Sequence, residues 1–341
     1  MTAMMRAFVV TGPGEAAVYE VDAPVAGPGE VVVDVQRAGV CGTDVEFFTG
    51  HMQYLHDGHA QFPMRLGHEW MGTVSAVGAG VDASWLGRRV TGDTMLGCQT
   101  CPRCLSGRQH VCDARTEIGV RGGQPGALAE QLSVPAFALH ALPDSIDDDA
   151  GAIIEPAGNA LRSVQGALVG PGERVLVLGA GTIGLLCAMF ARADGAEVHL
   201  MGRSPRSLDF ARSLGFESSW TQDSLPHLPF DAVIDASNAP ALPALAVDLV
   251  EPGKRVVFVG LAGSPSLVDT RRLALKDVTA VGVLSASPGI ADTIERFASG
   301  AVDPRPLVSA TVGLDGVAAV LAGERPAGAG LGPKTLVDPR I

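Results

Sequence analysis

Three groups of residues in this chain have the types and spacing to do chemistry. The densest is Cys98, Cys101, Cys104 and Cys112, four thiols within fifteen residues. Zinc takes four sulfur ligands in tetrahedral structural sites that are closed to substrate, and successive Cys-x-x-Cys turns can wrap one ion unaided. An iron–sulfur cluster is also held by four cysteines and is the rival reading. The second group is dispersed: Cys41 in Gly39-Val-Cys-Gly-Thr43-Asp44, His68 and Glu69 in Leu66-Gly-His-Glu69, and Glu155 before Pro156. A thiolate, an imidazole and a carboxylate would hold zinc with one position open, where it can polarise a substrate oxygen. Singly, each has a plainer reading: Cys41 as a core thiol, His68 as a satisfied polar residue, Glu155 as a surface charge. The third group is Gly179-Ala-Gly181-Thr182-Ile183-Gly184, with the spacing G-x-G-x-x-G.

The third group shows most plainly which elements must do the positioning. Residues 175–178 are a branched apolar run that reads as a buried parallel strand, residues 182–193 as a helix, and residues 197–201 as a second strand. In such a unit Gly179 permits the tight turn and Gly181 lets the backbone approach a pyrophosphate. Gly184 lets helix and strand pack closely, and the first helical N–H groups, at Thr182 and Ile183, hold the phosphates. Two plainer readings compete. Residues 175–191 are uncharged and nearly as long as the roughly 20 residues of a membrane span, although the glycines and the flanking charges oppose that. The other is a glycine-rich turn with no ligand. At the end of the second strand an NAD site carries an acid for the ribose hydroxyl. Here Gly202 is followed by Arg203, Ser204 and Arg206, which suits a 2′-phosphate and hence NADP. A solvated arginine pair with dual cofactor use is the alternative.

The chain of 341 residues is long enough for two domains. Its 47% hydrophobic and 18% charged residues supply a large core and oppose disorder. A net charge of −12 disfavours nucleic acid or an anionic membrane as the main partner. Residues 1–10 carry no secretory signal pattern, and clustered cysteines in such a chain point to metal before disulfides, so a cytoplasmic location is expected. Cys187 reads as a core residue. Up to about residue 150 the chain alternates short β-rich runs with Gly, Pro and Asp. Beyond residue 153 strands alternate with helices, at 230–236, 241–250, 254–260, 278–284 and 290–298, which predicts a doubly wound parallel sheet. A strand at 307–312, a short helix at 314–322 and a tail from Lys334 follow, and the tail is expected to return to the first domain.

Taken together and in this order, these motifs resemble the zinc-dependent medium-chain alcohol dehydrogenase family across essentially the whole chain. The resemblance implies an α/β protein: a GroES-like irregular β catalytic domain at residues 1–153, completed by 302–341, around a Rossmann domain at 154–301. The active site would lie in the cleft between them, in a dimer or tetramer. It implies that Cys41 and His68 are catalytic zinc ligands. Glu69 and Glu155 would bind that zinc directly, exchange with water on it, or act through one. Thr43 would relay the alcohol proton and Asp44 would steady the ligand histidine. Many relatives carry a histidine three residues past the threonine; this chain has Glu46, as some sugar dehydrogenases of the family have an acid there. Glu46 is read either as a proton acceptor or substrate ligand, or as a surface glutamate. The segment 50–62, with His51, His56 and His59, matches no metal spacing and reads as a polar loop near the substrate mouth or as plain surface.

The expected function is hydride transfer between NADP(H) and a secondary alcohol, polyol or sugar-like hydroxyl, with one catalytic and one structural zinc per chain. Aldose 1-dehydrogenase and threonine-type amino-alcohol dehydrogenase are alternatives within the same chemistry. A non-catalytic dinucleotide sensor on the same scaffold is the alternative from a different class, and it would need no open zinc. A zinc-free quinone reductase is disfavoured by both metal groups.

Overall fold

The computed structural model describes residues 3–341; Met1 and Thr2, part of the stretch inspected for a signal, lie outside the described residues. The chain opens with β1 (Met4–Gly12), β2 (Glu15–Asp22) and β3 (Glu30–Gly39), followed by two short helices, α1 (Gly42–Thr49) and α2 (Gln53–His56). Next come β4 (Met64–Arg65), β5 (Glu69–Val77), β6 (Arg89–Gly92), β7 (Met95–Leu96), α3 (Pro102–Leu105), β8 (Thr116–Glu117), β9 (Gln131–Pro135) and β10 (Leu139–Ala141). They form a small sheet β2-β1-β4, a ribbon β7-β8, and part of a larger sheet built on β3, which pairs antiparallel with both β5 and β9. The valines of β3 explain its central place: Val31, Val32, Val33 and Val35 are all buried, and β-branched side chains suit a covered pleat. Val31, Val33 and Val35 pack with Phe8, Phe47, Trp70 and Leu132 into one core.

The seam between the halves is α4 (Asp148–Ala152) and α5 (Ile154–Ala167). The Asp147 carboxylate caps α4 by accepting from Ala150 N at 2.8 Å. α5 is buried along most of its length and lies in the second core, with Val177, Leu186 and Ile234. Pro156 is tolerated because it stands in the first turn, where its missing N–H is no loss.

The second half follows as β11 (Arg174–Leu178), α6 (Thr182–Ala193), β12 (Glu197–Met201), α7 (Pro205–Ser213), β13 (Ser219–Trp220), β14 (Phe230–Asp235), α8 (Leu242–Leu249), β15 (Val250–Phe258), α9 (Thr270–Leu275), β16 (Thr279–Gly282) and α10 (Ile290–Ala298). All six strands are parallel, in the order β13-β12-β11-β14-β15-β16. The order reverses direction between β11 and β14, and the crevice beyond their carboxyl ends is where such a sheet binds ligands. β11 is fully buried from Val175 to Leu178, so an unbroken apolar run reports a covered central strand. No helix among the described residues is long and apolar enough to cross a membrane; residues 175–191 are this strand, the glycine turn and most of α6.

The last elements are β17 (Val308–Val312), α11 (Val317–Leu321) and β18 (Lys334–Val337). β18 pairs parallel with β17 and antiparallel with β3, in the register Leu336↔Gly39 and Val337↔Ala38. The tail therefore returns to the first sheet, which runs β10-β6-β5-β3-β18-β17. The helix expected at residues 182–193, the strand at 197–201 and the helix at 290–298 coincide with α6, β12 and α10. α1 and α5, which carry site residues, are not among the elements expected from the sequence.

Candidate active site

β3 ends at Gly39, and two residues later Cys41 stands at the N-cap of α1. Asp44, fully buried in the first turn of α1, accepts from the Cys41 N–H through Oδ2 at 2.9 Å. Its other oxygen accepts from Gly67 N at 3.4 Å and faces His68 Nδ1 at 3.6 Å. One carboxylate thus fixes both the strand end that presents Cys41 and the turn that presents His68, and it leaves the imidazole's Nε2 for a ligand. The turn needs glycine: Gly67 has φ +101, and a Cβ there would come within 2.7 Å of Leu128 N. One ligand atom from each of Cys41, His68 and Glu69 lies within 4.8 Å of the others.

Glu69 is almost fully buried, and both its oxygens accept from Lys334 Nζ, at 2.8 and 2.6 Å. Lys334 also donates to Val40 O at 3.0 Å. Burial opposes the lysine's charge, but Glu69 and Cys41 outweigh it and raise its pKa. Gly39 makes the room, since a Cβ there would run into the Glu69 carboxylate. Lys334 was not among the residues singled out from sequence as part of a site. The available signal was its rarity: the chain has three lysines, all engaged in hydrogen bonds here.

Glu155 lies in the first turn of α5, buried, accepting from Asn159 Nδ2 at 3.1 Å. Burial, reinforced by Glu69 and eased by His68 and Lys334, pushes its carboxyl up to about 7. It stands outside the set of ligand atoms within 4.8 Å. Thr43 and Glu46 are half-buried on α1, three residues apart and so on one face. Burial raises the Glu46 carboxyl and His51 opposes that.

The donor chemistry fits a metal. Burial works against a charged His68, yet Asp44 and Cys41 together hold its pKa well above the usual value. Such an arrangement of donors around one imidazole favours positive charge, as a bound cation would supply. At the four-cysteine loop the fit is metrical. Sγ separations are 3.9 Å for Cys98–Cys104, 3.6 Å for Cys101–Cys104 and 3.8 Å for Cys101–Cys112, and none of the four is in a disulfide. Tetrahedral zinc with Zn–S near 2.3 Å sets its sulfurs about 3.8 Å apart; a multi-iron cluster would hold them farther apart. Cys98 accepts from Cys101 N at 3.4 Å and Cys101 from Cys104 N at 3.5 Å, bonds that favour thiolate.

At the glycine turn, Gly179 has φ +106 and its N–H donates to Met201 O at 2.8 Å. Gly181 is the N-cap of α6, with nothing near a Cβ placed on it, and no side chain caps the helix. The first N–H groups, at Thr182 and Ile183, therefore face open space. A Cβ at Gly184 would collide with the Gly179 carbonyl, so close packing does require glycine there. Gly202 is different from expectation in one respect: a Cβ there would meet Leu208 Cδ2 at 2.8 Å and Ala180 Cβ at 3.1 Å, so local packing also opposes an acid. Ser204 is used as the N-cap of α7, accepting from Ser207 N at 3.2 Å. Arg203 and Arg206 are exposed, with no ion-pair partner among the described residues. The histidine loop is tied down through Tyr54. Tyr54 donates to Glu117 Oε1 at 3.3 Å, and Arg115 bridges Tyr54 and Glu117.

Two family models match the chain: an alcohol dehydrogenase GroES-like domain at residues 27–144 and a zinc-binding dehydrogenase domain at residues 182–299. The chain is 31% identical over 335 residues to an L-threonine 3-dehydrogenase of Sinorhizobium fredii, covering 92% of this chain and 94% of that one. It is 32% identical over 303 residues to an L-galactonate-5-dehydrogenase of Escherichia coli, covering 83% and 84%. Among solved structures, a short chain alcohol dehydrogenase of E. coli CFT073 complexed with NADH superposes with TM-score 0.89 at 26% identity, over 98% of this chain and 99% of the other. A putative zinc-binding dehydrogenase of Sinorhizobium meliloti bound to NADP gives 0.88 at 27% identity, over 99% and 100%.

Proposed function

The chain belongs to the zinc-dependent medium-chain alcohol dehydrogenase family, and on that premise we propose how its own residues oxidise a hydroxyl on a small polar substrate with NADP. That it is a dehydrogenase of CH–OH groups follows from the family. The convergence of Cys41, His68 and Glu69 within 4.8 Å carries the assignment of the reacting centre. When bound there, zinc supplies a Lewis acid for the substrate oxygen, and the nicotinamide accepts the hydride. Cys41 and His68 would hold the metal, with Asp44 orienting His68 through Nδ1. Glu69 would share its oxygens between the metal and Lys334 and so serve as an adjustable donor. Glu155, whose carboxyl burial raises to about 7, is placed to hold or release a proton near the centre. Thr43 takes the substrate's hydroxyl proton, and Glu46, one turn on, receives it at the mouth.

A second zinc in the four-cysteine loop is structural. Residues 1–153 with 302–341 form the catalytic domain and 154–301 the cofactor domain, supported by the pairing of β18 with β3. NADP is favoured over NAD by the unpaired Arg203 and Arg206 and by the packing at Gly202; of the two superposed relatives one holds NADP and the other NADH. Four free thiols around one centre suit a reducing, cytoplasmic compartment. Assembly into a dimer or tetramer is supported by the exposed edge strand β16, beside the exposed Leu267 and Leu275.

Metal analysis with a rate assay tests this reading. Wild-type protein should hold two zinc per chain and reduce NADP in the presence of a polyol, sugar or amino alcohol. His68→Ala should hold one zinc and lose turnover by a factor of at least about 10³. One zinc in the wild type, or faster turnover with NAD, would overturn the corresponding part.

A further inference from the structure

Arg162 is a charged residue on a packed helix, and the chemistry described above gives it no task. It lies on α5 about two turns past Glu155, between the buried Leu161 and Ser163. Arg162 is half-buried and makes no ion pair among the described residues. Its charge is met by backbone: Nη1 donates to the carbonyls of both Leu284 and Ser285. The stem is seated as well, since a Cβ on Gly289 would come within 2.9 Å of Arg162 Cγ. One turn back toward Glu155, Gly158 lies against the same segment, and a Cβ there would meet Ala286 Cβ at 2.8 Å. α5 thus grips residues 284–289 at two successive turns, one of them next to the turn that carries Glu155.

The gripped segment leaves β16 at its carboxyl end. The carboxyl ends of these parallel strands border the crevice that binds ligands, and a dinucleotide lies across the point where strand order reverses. With the ribose phosphate at Gly202–Arg206, beside β12, the nicotinamide falls over the half built from β14, β15 and β16. Ser285 is buried and held at φ +71, and Ala286 follows at φ −75, ψ −25. A left-handed residue followed by a right-handed one gathers successive N–H groups into a concave set of donors. In a planar peptide the carbonyl and the next N–H point in opposite directions. Turning the Leu284 and Ser285 carbonyls to Arg162 therefore turns the N–H groups of Ser285 and Ala286 away from it. Neither donates to a protein atom among the described residues, whereas Ser287 N is taken by Ser285 Oγ at 3.2 Å.

We propose that Arg162 is a positioning residue for the nicotinamide end of the cofactor. It acts through the backbone of Leu284–Ala286, which it holds in a left-handed turn that a serine would not otherwise keep, so that the crevice is shaped before the cofactor arrives. The proposal rests on the dinucleotide reading above. It separates the two ends of the cofactor: the adenosine end is held at β11, β12 and α6, none of which Arg162 bonds.

The test is equilibrium binding of two ligands to the full chain. NADPH has both ends, and its nicotinamide emission reports binding; adenosine 2′,5′-bisphosphate has the adenosine end alone and is followed by calorimetry. Arg162→Met should weaken NADPH about 10-fold, the effect of losing charged hydrogen bonds, and leave the bisphosphate within about twofold of wild type. Arg162→Lys should recover most of the NADPH affinity, because both carbonyls accept from a single nitrogen, which an ammonium can replace. Gly158→Ala tests the same grip without touching the charge: its methyl presses on Ala286 while improving helix propensity, and it should weaken NADPH selectively. Equal losses for both ligands, no loss in Arg162→Met, or Arg162→Lys no better than Arg162→Met would overturn the positioning role. If Arg162→Met does not fold, Gly158→Ala decides by the same comparison. A wild type that binds NADH and AMP instead of the phosphorylated pair corrects the choice of nucleotide, and the comparison then runs with those two. A wild type that binds no nucleotide overturns the dinucleotide reading, and this proposal with it.

Discussion

Lys334 and Glu69 show how one buried pair can set the character of a metal centre. Their side chains are 3% and 1% exposed, so neither charge has water to fall back on. Removing one partner of such a pair strands the other charge, at a cost of roughly 3–5 kcal/mol. Lys334→Met should therefore lower unfolding free energy in urea by about that amount. Adding Glu69→Gln should recover most of the loss; a double variant no more stable than Lys334→Met would refute the pairing argument. At this scale the sequence was legible where chemistry is carried by motif: Cys41, Asp44, His68 and Glu69, which the family resemblance singles out, lie side by side. Lys334 was not legible, because it is joined to Glu69 across 265 residues and no local pattern marks a lysine as a carboxylate's partner. Glu155 was read as a ligand candidate, and its place beside the centre instead of within the three-residue set depends on the pitch of α5, which no motif encodes.

Two elements make separable predictions. The turn between β12 and α7 holds Gly202 against Leu208 and Ala180. Gly202→Asp alone should overpack the turn by about 1–3 kcal/mol and bind both nucleotides poorly. Combined with Leu208→Ala it should move preference from NADP toward NAD, which ratios of kcat/KM would show. Arg203→Ala should weaken NADP by about 10-fold while leaving NAD nearly unaffected, since a charged hydrogen bond is lost only with the phosphate. The four-cysteine loop is the other element. Cys112→Ser should lower its zinc occupancy and loosen the 51–62 segment as well, because Arg115 bonds both the Cys112 carbonyl and Tyr54. Faster amide exchange in 51–62 would report it. The Rossmann strands and helices were readable because parallel strands buried on both faces are continuous apolar runs. The long α5 was not, because Pro156, Gly158 and Gly166 are poor helix formers and interrupt its pattern.

At the scale of the whole molecule, β18 ties the end of the chain to β3, and Asp338 secures the join with Arg37 at 2.6 Å and Arg340 at 2.8 Å. Arg340, then Arg37, hold the Asp338 carboxyl down at about 2. A depressed acid stabilises the fold above its unfolded pKa near 3.9 and loses that contribution as pH falls toward 2. The stability gap between wild type and Asp338→Asn, on the order of 1 kcal/mol after solvent screening, should therefore close between pH 4 and 2. A gap that persists at pH 2 would contradict the ion-pair origin. Subunit assembly belongs to this scale too: Leu267→Glu with Leu275→Glu should shift light-scattering mass toward the monomer if the β16 edge is an interface. The return of the tail also imposes an order of manufacture. All four cysteines of the zinc loop leave the ribosome together, whereas Lys334 follows Glu69 by 265 residues, roughly 13–50 s at common translation rates. Through that interval Glu69 has no lysine, and Cys41, His68 and Glu69 are all available to an arriving ion. Metal loading is expected to be easiest on the unfinished chain, with the lysine arriving last to draw the glutamate partly away.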